Sequence, residues 1–273
     1  MHGMYSYTIP QWLFFFYFYC FLGWCIESSF VSLTKRKLVN RGFMRGPFLP
    51  LYGSGAIMML LMAKPFEDNL VLVFLAGCIG ATILEYVTGV TMEALFKVRY
   101  WDYSKNKFNF QGHICLGTSL AWGGLTILMT EFLHKPVEKF VLSIPPKLLG
   151  LIVLVLTAYI CADFALSFKA ALDLKNVMFK LEKVKEELAH MQKRLDVLIA
   201  LRNEEIVDRK EEIAEELMEL KLKYQSHQDY HVRLKNLRDF FQRDLIRANP
   251  SMSSKRFKDI LEELKENLDK KKK

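Results

Sequence analysis

Motifs for nucleotide, zinc or acyl chemistry are missing from these 273 residues: there is no GxxxxGK[ST], no HExxH and no GxSxG. The chain thus carries no recognisable means of binding ATP, holding a catalytic zinc or attacking an acyl group. No catalytic residue, cofactor or metal is expected in it. Its five cysteines, Cys20, Cys25, Cys78, Cys115 and Cys161, lie in or beside apolar runs with no CxxC pair and no regular disulfide spacing, and so read as buried free thiols. The N-terminus lacks a basic n-region, and the apolar run from Trp12 to Val31 is too long for a leader's h-region and has no small-residue cleavage site. It reads as a first membrane span.

Charge is also scarce, but only in part of the chain. Residues 1–169 hold about 14 Lys/Arg and 9 Asp/Glu, whereas the remaining 104 hold about 24 and 21. Two segments suited to two solvents follow from that contrast. In the first, apolar runs near 9–33, 48–64, 69–96, 113–133 and 148–169 approach the roughly 20 residues a helix needs to cross a bilayer. The period-2 alternation of a barrel is absent, so the backbone must satisfy itself as helices. The expected fold is all-α: a polytopic bundle of about five transmembrane helices over 1–170, a cytoplasmic coiled coil over 171–248, and a short amphipathic helix with a basic tail over 249–273.

The loops near 34–47 and 97–112 hold about five and four Lys/Arg, against none near 65–68 and three near 134–147. The basic loops are therefore expected in the cytoplasm, which places the N-terminus outside, the arm inside, and the protein in the plasma membrane as a multi-pass chain. The net charge of +8 has its excess in that first loop and in Lys270 to Lys273, a pattern that fits a membrane surface and argues against nucleic acid as a partner. In the arm, Val177, Leu181, Val184, Leu188, Met191, Leu195 and Leu198 alternate by three and four, and the phase slips before resuming at Ile213, Leu217, Leu220 and Tyr224. That seam predicts self-association, a helical partner or a fold-back. After the break at Asn249-Pro250-Ser251, Phe257, Ile260, Leu261, Leu264 and Leu268 give the terminal helix an apolar stripe.

Ionisable groups at membrane depth cost several kcal/mol unless paired or hydrated, which singles out Glu27, Glu85 and Asp163, with Glu93 nearer the interface and close to Lys97 and Arg99. Between the first two spans, the run from Asn40 to Gly55 has Arg41 and Arg45 among four glycines and two prolines, which preclude a simple helical turn. It offers exposed amides and guanidinium groups, suited to an anionic group, or else a rigid turn that aims the second span. In the second basic loop, Asp102, Asn109 and His113 form with Arg41 a polar set beyond what interfacial anchoring by Tyr100, Trp101 and Tyr103 requires.

Ordered matches then run through Gly23-Trp24 and Glu27, Asn40-Arg41-Gly42, Gly46-Pro47, Pro50, Tyr52-Gly53 and Gly55, Leu84-Glu85-Tyr86 and Gly89, Trp101-Asp102-Tyr103-Ser104, Asn109, Gly112 and Trp122-Gly123. Through them, residues of about 10–160 resemble the ABC-transporter type IV permease family, CmpB-like. The resemblance implies a polytopic transport subunit served by a separate ATPase, and it leaves the arm outside. The expected ligand-binding set is Glu27, Asn40, Arg41, Glu85, Asp102, Tyr103, Asn109 and His113. The leading expectation is a permease-like protein for a small polar or anionic ligand or lipid headgroup. Its rivals are a membrane-anchored coiled-coil scaffold and, ranked third, an intramembrane enzyme using Asp102, His113 or Glu85 as acid and base.

Overall fold

A computed structural model describes residues 7–203, 210–237 and 239–270. The chain forms two compact units, one of residues 1–171 with 244–253, the other of residues 172–243 with 254–273. Among the described residues the elements are α1 (Ile9–Lys35), α2 (Pro50–Ala63), α3 (Leu70–Phe96), a two-residue hairpin of β1 (Asn109–Phe110) and β2 (Ile114–Cys115), α4 (Leu116–Leu128), α5 (His134–Ser143), α6 (Pro146–Asn203), α7 (Lys210–Lys235), α8 (Phe240–Ala248) and α9 (Lys258–Lys270).

Local chemistry sets the ends. Pro10 and Pro50 sit in the first turns of α1 and α2, where a missing N–H costs nothing. Asn69 caps α3 by accepting from the amides of Val71 (3.0 Å) and Leu72 (3.3 Å). Arg36 and Lys97 end α1 and α3 in the left-handed conformation. A π-type turn over Met129–Leu133 joins α4 to α5.

Among the described residues, three helices are long and apolar enough to cross a membrane: α1, α3 and the first part of α6. These coincide with three of the five expected spans. At 14 residues α2 reaches only about 21 Å, and α4 is shorter still before the π turn, so neither meets that length alone. In the first unit α1 packs on α2, α2 on α3, and α3 on α4, around Phe15, Tyr19, Cys20, Met59, Leu60 and Ala81. The α3 and α4 backbones approach closely because Gly77 faces Thr126 and Gly123 faces Phe74 and Cys78. Large apolar side chains cover the outside, with Leu154 68% and Val155 61% exposed, an arrangement suited to lipid.

The second unit is built from the later part of α6, α7 and α9. Leu195 and Leu198 of α6 pack against Ile213, Leu217, Leu220 and Tyr224 of α7, so the seam folds back within the chain. Leu174, Met178, Leu181 and Val184 are buried as well. Met178 rather than Val177 takes the inward position, because the row one residue along is the one covered. All five stripe residues around α9 are buried, Phe257 stacks edge-on to Phe179 at 4.8 Å, and Glu263 pairs with Lys185 (2.9 Å) and with Lys235. Lys271 to Lys273 lie outside the described residues.

Candidate functional site

One end of the first unit, where α1 and α3 finish and α2 and α4 begin, gathers both basic loops around a cavity of about 370 Å³. Glu27 projects from the last third of α1, Tyr52 from the first turn of α2, Glu85 from α3 and Trp122 from α4. Tyr52 can lie against α1 because Gly23 leaves no Cβ in its way. Arg41 comes from the first loop, where Gly42 holds φ 136° while a Cβ there would sit 2.5 Å from Leu49. Tyr103 comes from the second loop, which is shaped by a tight hairpin whose central residues, Gln111 and Gly112, both have positive φ.

The guanidinium of Arg41 is fully engaged. Its Nε donates to Glu27 (3.3 Å), Nη1 to the Ala248 carbonyl (3.4 Å) and to Asn249 Oδ1, and Nη2 to the Tyr100 carbonyl (3.4 Å) and Ser251 Oγ (3.4 Å). Five N–H groups meet five acceptors. The second oxygen of Glu27 accepts from Tyr52 at 2.8 Å. Glu85 is 4% exposed and accepts from the Tyr103 hydroxyl (3.0 Å) and Trp122 Nε1 (2.9 Å). Burial, reinforced by the Glu85 carboxylate, pushes the Tyr103 hydroxyl well above its ordinary pKa and keeps it a donor. The Tyr100 hydroxyl, buried in the same wall, has no hydrogen-bond partner among the described residues.

Beside the cavity lies a second network. Glu93 binds Arg99 (2.8 Å) and His113 (3.0 Å), and Arg99 reaches Asp102 at 3.5 Å. Asp102 also accepts from Ser104 and from Ser253 (3.0 Å). Against the desolvation of partial burial, these hydrogen bonds and the Arg99 charge hold its carboxyl below the ordinary aspartate range. The segment Asp244–Ser253 thus straps both networks: Asn249 and Ser251 complete Arg41, Asn249 Nδ2 donates to the Gly42 carbonyl (2.8 Å), and Ser253 pairs backbone to backbone with Arg99.

Residues 14–168, more than half of the chain, match the family model described as "Putative ABC-transporter type IV". The chain belongs to that family. No curated protein and no solved structure matches the chain. The type IV match takes in every cavity residue named above except those of the strap.

Of the eight expected site residues, the structure brings Glu27, Arg41, Glu85 and Tyr103 to the cavity and puts Asp102 and His113 in the adjoining network. Asn40 is exposed and fastens its own loop, accepting from Trp24 at 2.6 Å and donating to the Arg45 carbonyl at 2.5 Å. Asn109 closes the second loop through the Asn106 carbonyl (2.8 Å) and the Gly112 amide (3.1 Å). Asp163 caps the Gly46 amide at 2.8 Å. Tyr52 and Trp122 were readable only as members of the Tyr52-Gly53 and Trp122-Gly123 matches, and Asn249 only as part of a helix break. Among the described residues, no group of three His, Cys, Asp or Glu side chains is placed to hold a metal ion.

Beyond Tyr52, Tyr103 and Trp122, which it shares with the first cavity, lies a second of about 310 Å³, walled by Tyr19, Met59, Met129 and Leu133. Tyr19 donates to, or accepts from, His134 Nδ1 at 2.9 Å, and His134 lines a third cavity of about 660 Å³ with Tyr7, Gln11, Glu131 and Glu138. Gln11 and Glu27 are about 24 Å apart along α1, so the series runs from one end of the bundle to the other.

Proposed function

We propose that this membrane protein is a permease-type transport subunit that takes a small polar ligand or lipid headgroup into the Glu27–Arg41–Glu85 cavity and passes it along the α1–α2–α4 face. The observation that carries the reading is the series of three cavities, with charged side chains in the first and third and none in the second, through a bundle that is apolar outside. The chain has no nucleotide-binding motif, so ATP drive would come from a separate subunit. In this reading α2 and the run from α4 through α5 complete five crossings.

Cysteine accessibility tests the route. With the five native cysteines replaced by alanine, Met59→Cys, in the wall of the second cavity, should react with a small polar thiosulfonate reagent. Leu60→Cys, in the same core but at 0% exposure and in the wall of none of the three cavities, should not. Equal protection of both positions in membranes and in detergent would remove the route. A scaffold reading is favoured by the self-contained core of the second unit, and it predicts the opposite genetics: Leu217→Asp abolishes function while Arg41→Ala is silent.

A further inference from the structure

We propose that the ligand of the Glu85 cavity is an organic cation, an ammonium with an apolar body, rather than an anion. The inference rests on the reading of this cavity as the ligand site and adds the chemical class. A charge census decides it. Arg41 is the cavity's cationic side chain, and each of its N–H groups already meets an acceptor of the chain itself, so an arriving phosphate or carboxylate finds no free guanidinium donor. Its charge is matched by Glu27. Glu85 then stands in excess: it is buried, its two contacts are neutral donors, and among the described residues no cationic side chain lies within 4 Å of it. A carboxylate has about four lone-pair sites, and two hydrogen bonds leave acceptor capacity for a ligand.

The walls carry the same preference. Tyr52, Tyr100, Trp101, Tyr103, Trp122 and Phe43 line the cavity, and aromatic faces attract cations, most strongly where water is excluded. A bare divalent ion is a poor fit, because hard cations need six or more oxygen ligands or retained waters, and the two carboxylates that line the cavity are each already held by two hydrogen bonds. The neighbouring apolar cavity, behind Tyr52, Tyr103 and Trp122, gives room for an apolar body attached to the ammonium head.

Binding to the purified full-length protein in detergent is read by tryptophan fluorescence and by calorimetry, with benzyltrimethylammonium, benzenesulfonate and inorganic phosphate as probes. Benzyltrimethylammonium should bind saturably, and Glu85→Gln, which removes the charge while its amide oxygen still accepts from Trp122 and its NH2 turns to donate to the Tyr103 oxygen, should weaken it tenfold or more. Thr88→Lys introduces a cation from the same face of α3, one turn on, and should abolish ammonium binding even if Glu85→Gln fails to fold. Ammonium binding that survives both substitutions, or phosphate or benzenesulfonate binding in preference to ammonium, overturns the assignment. So does the absence of ammonium binding. If the Met59→Cys result holds while ammonium fails, the transport reading stands and the cation class falls; if ammonium binds while Met59→Cys stays protected, the reverse follows.

Discussion

At the scale of single residues, the first unit depends on a side chain that no local pattern points to. Asn249 is 1% exposed and uses both ends of its amide, accepting from Arg41 and donating to the carbonyls of Gly42 and Leu245. Removing it strands a guanidinium donor and a buried carbonyl, and a buried polar group left unsatisfied costs about 1–3 kcal/mol. Asn249→Ala should lower the thermal midpoint of the purified protein accordingly, and the loss should disappear in an Arg41→Met background if the Arg41 contact dominates. The acids behaved differently under sequence reading. Glu27 and Glu85 stood out because charge in an apolar span has few structural excuses, and both line the cavity. Tyr52 and Trp122 gave a weaker signal, since an aromatic beside a glycine serves packing as well as binding.

At the scale of elements, a helix was legible wherever one solvent fixed its pattern. The spans of α1, α3 and α6 follow from continuous apolarity, and the stripe of α9 follows from its 3.6-residue period. Leu264, at 0% exposure, sits at the centre of that stripe, and Leu264→Ala should cost about 2–5 kcal/mol, read as loss of protease resistance in the second unit with little change in the first. The partner of the α6 seam was not legible. A heptad row states that something apolar covers it, and the same row suits a second copy, another protein or the chain's own return; here Leu195 and Leu198 meet α7. The Val177 to Met178 exchange has a similar origin, because adjacent apolar residues leave the facing row open by one position.

For the whole molecule, loop charge makes a prediction independent of the cavity: a reporter fused after Lys273 should score as cytoplasmic, and one placed before Ile9 as extracytoplasmic. An extracytoplasmic C-terminal reporter would invert the direction in which the cavities are read. The division into units was only partly legible. Composition changes sharply near residue 170, yet residues 244–253 sit with the first unit, since hydrogen bonds across more than 200 positions leave no trace in periodicity or composition.

The strap also places the site in time. The last residue of the family-matched region is made about 80 residues before Asn249, a gap of roughly 4–16 s at ordinary translation rates. During that interval the bundle has its spans but Arg41 lacks the partners that the strap supplies. A chain cut short before residue 249 is held permanently at that stage, so shortening the protein to remove its arm also unmakes the cavity's mouth. Internal deletions that spare residues 244–253 are the ones that separate the two.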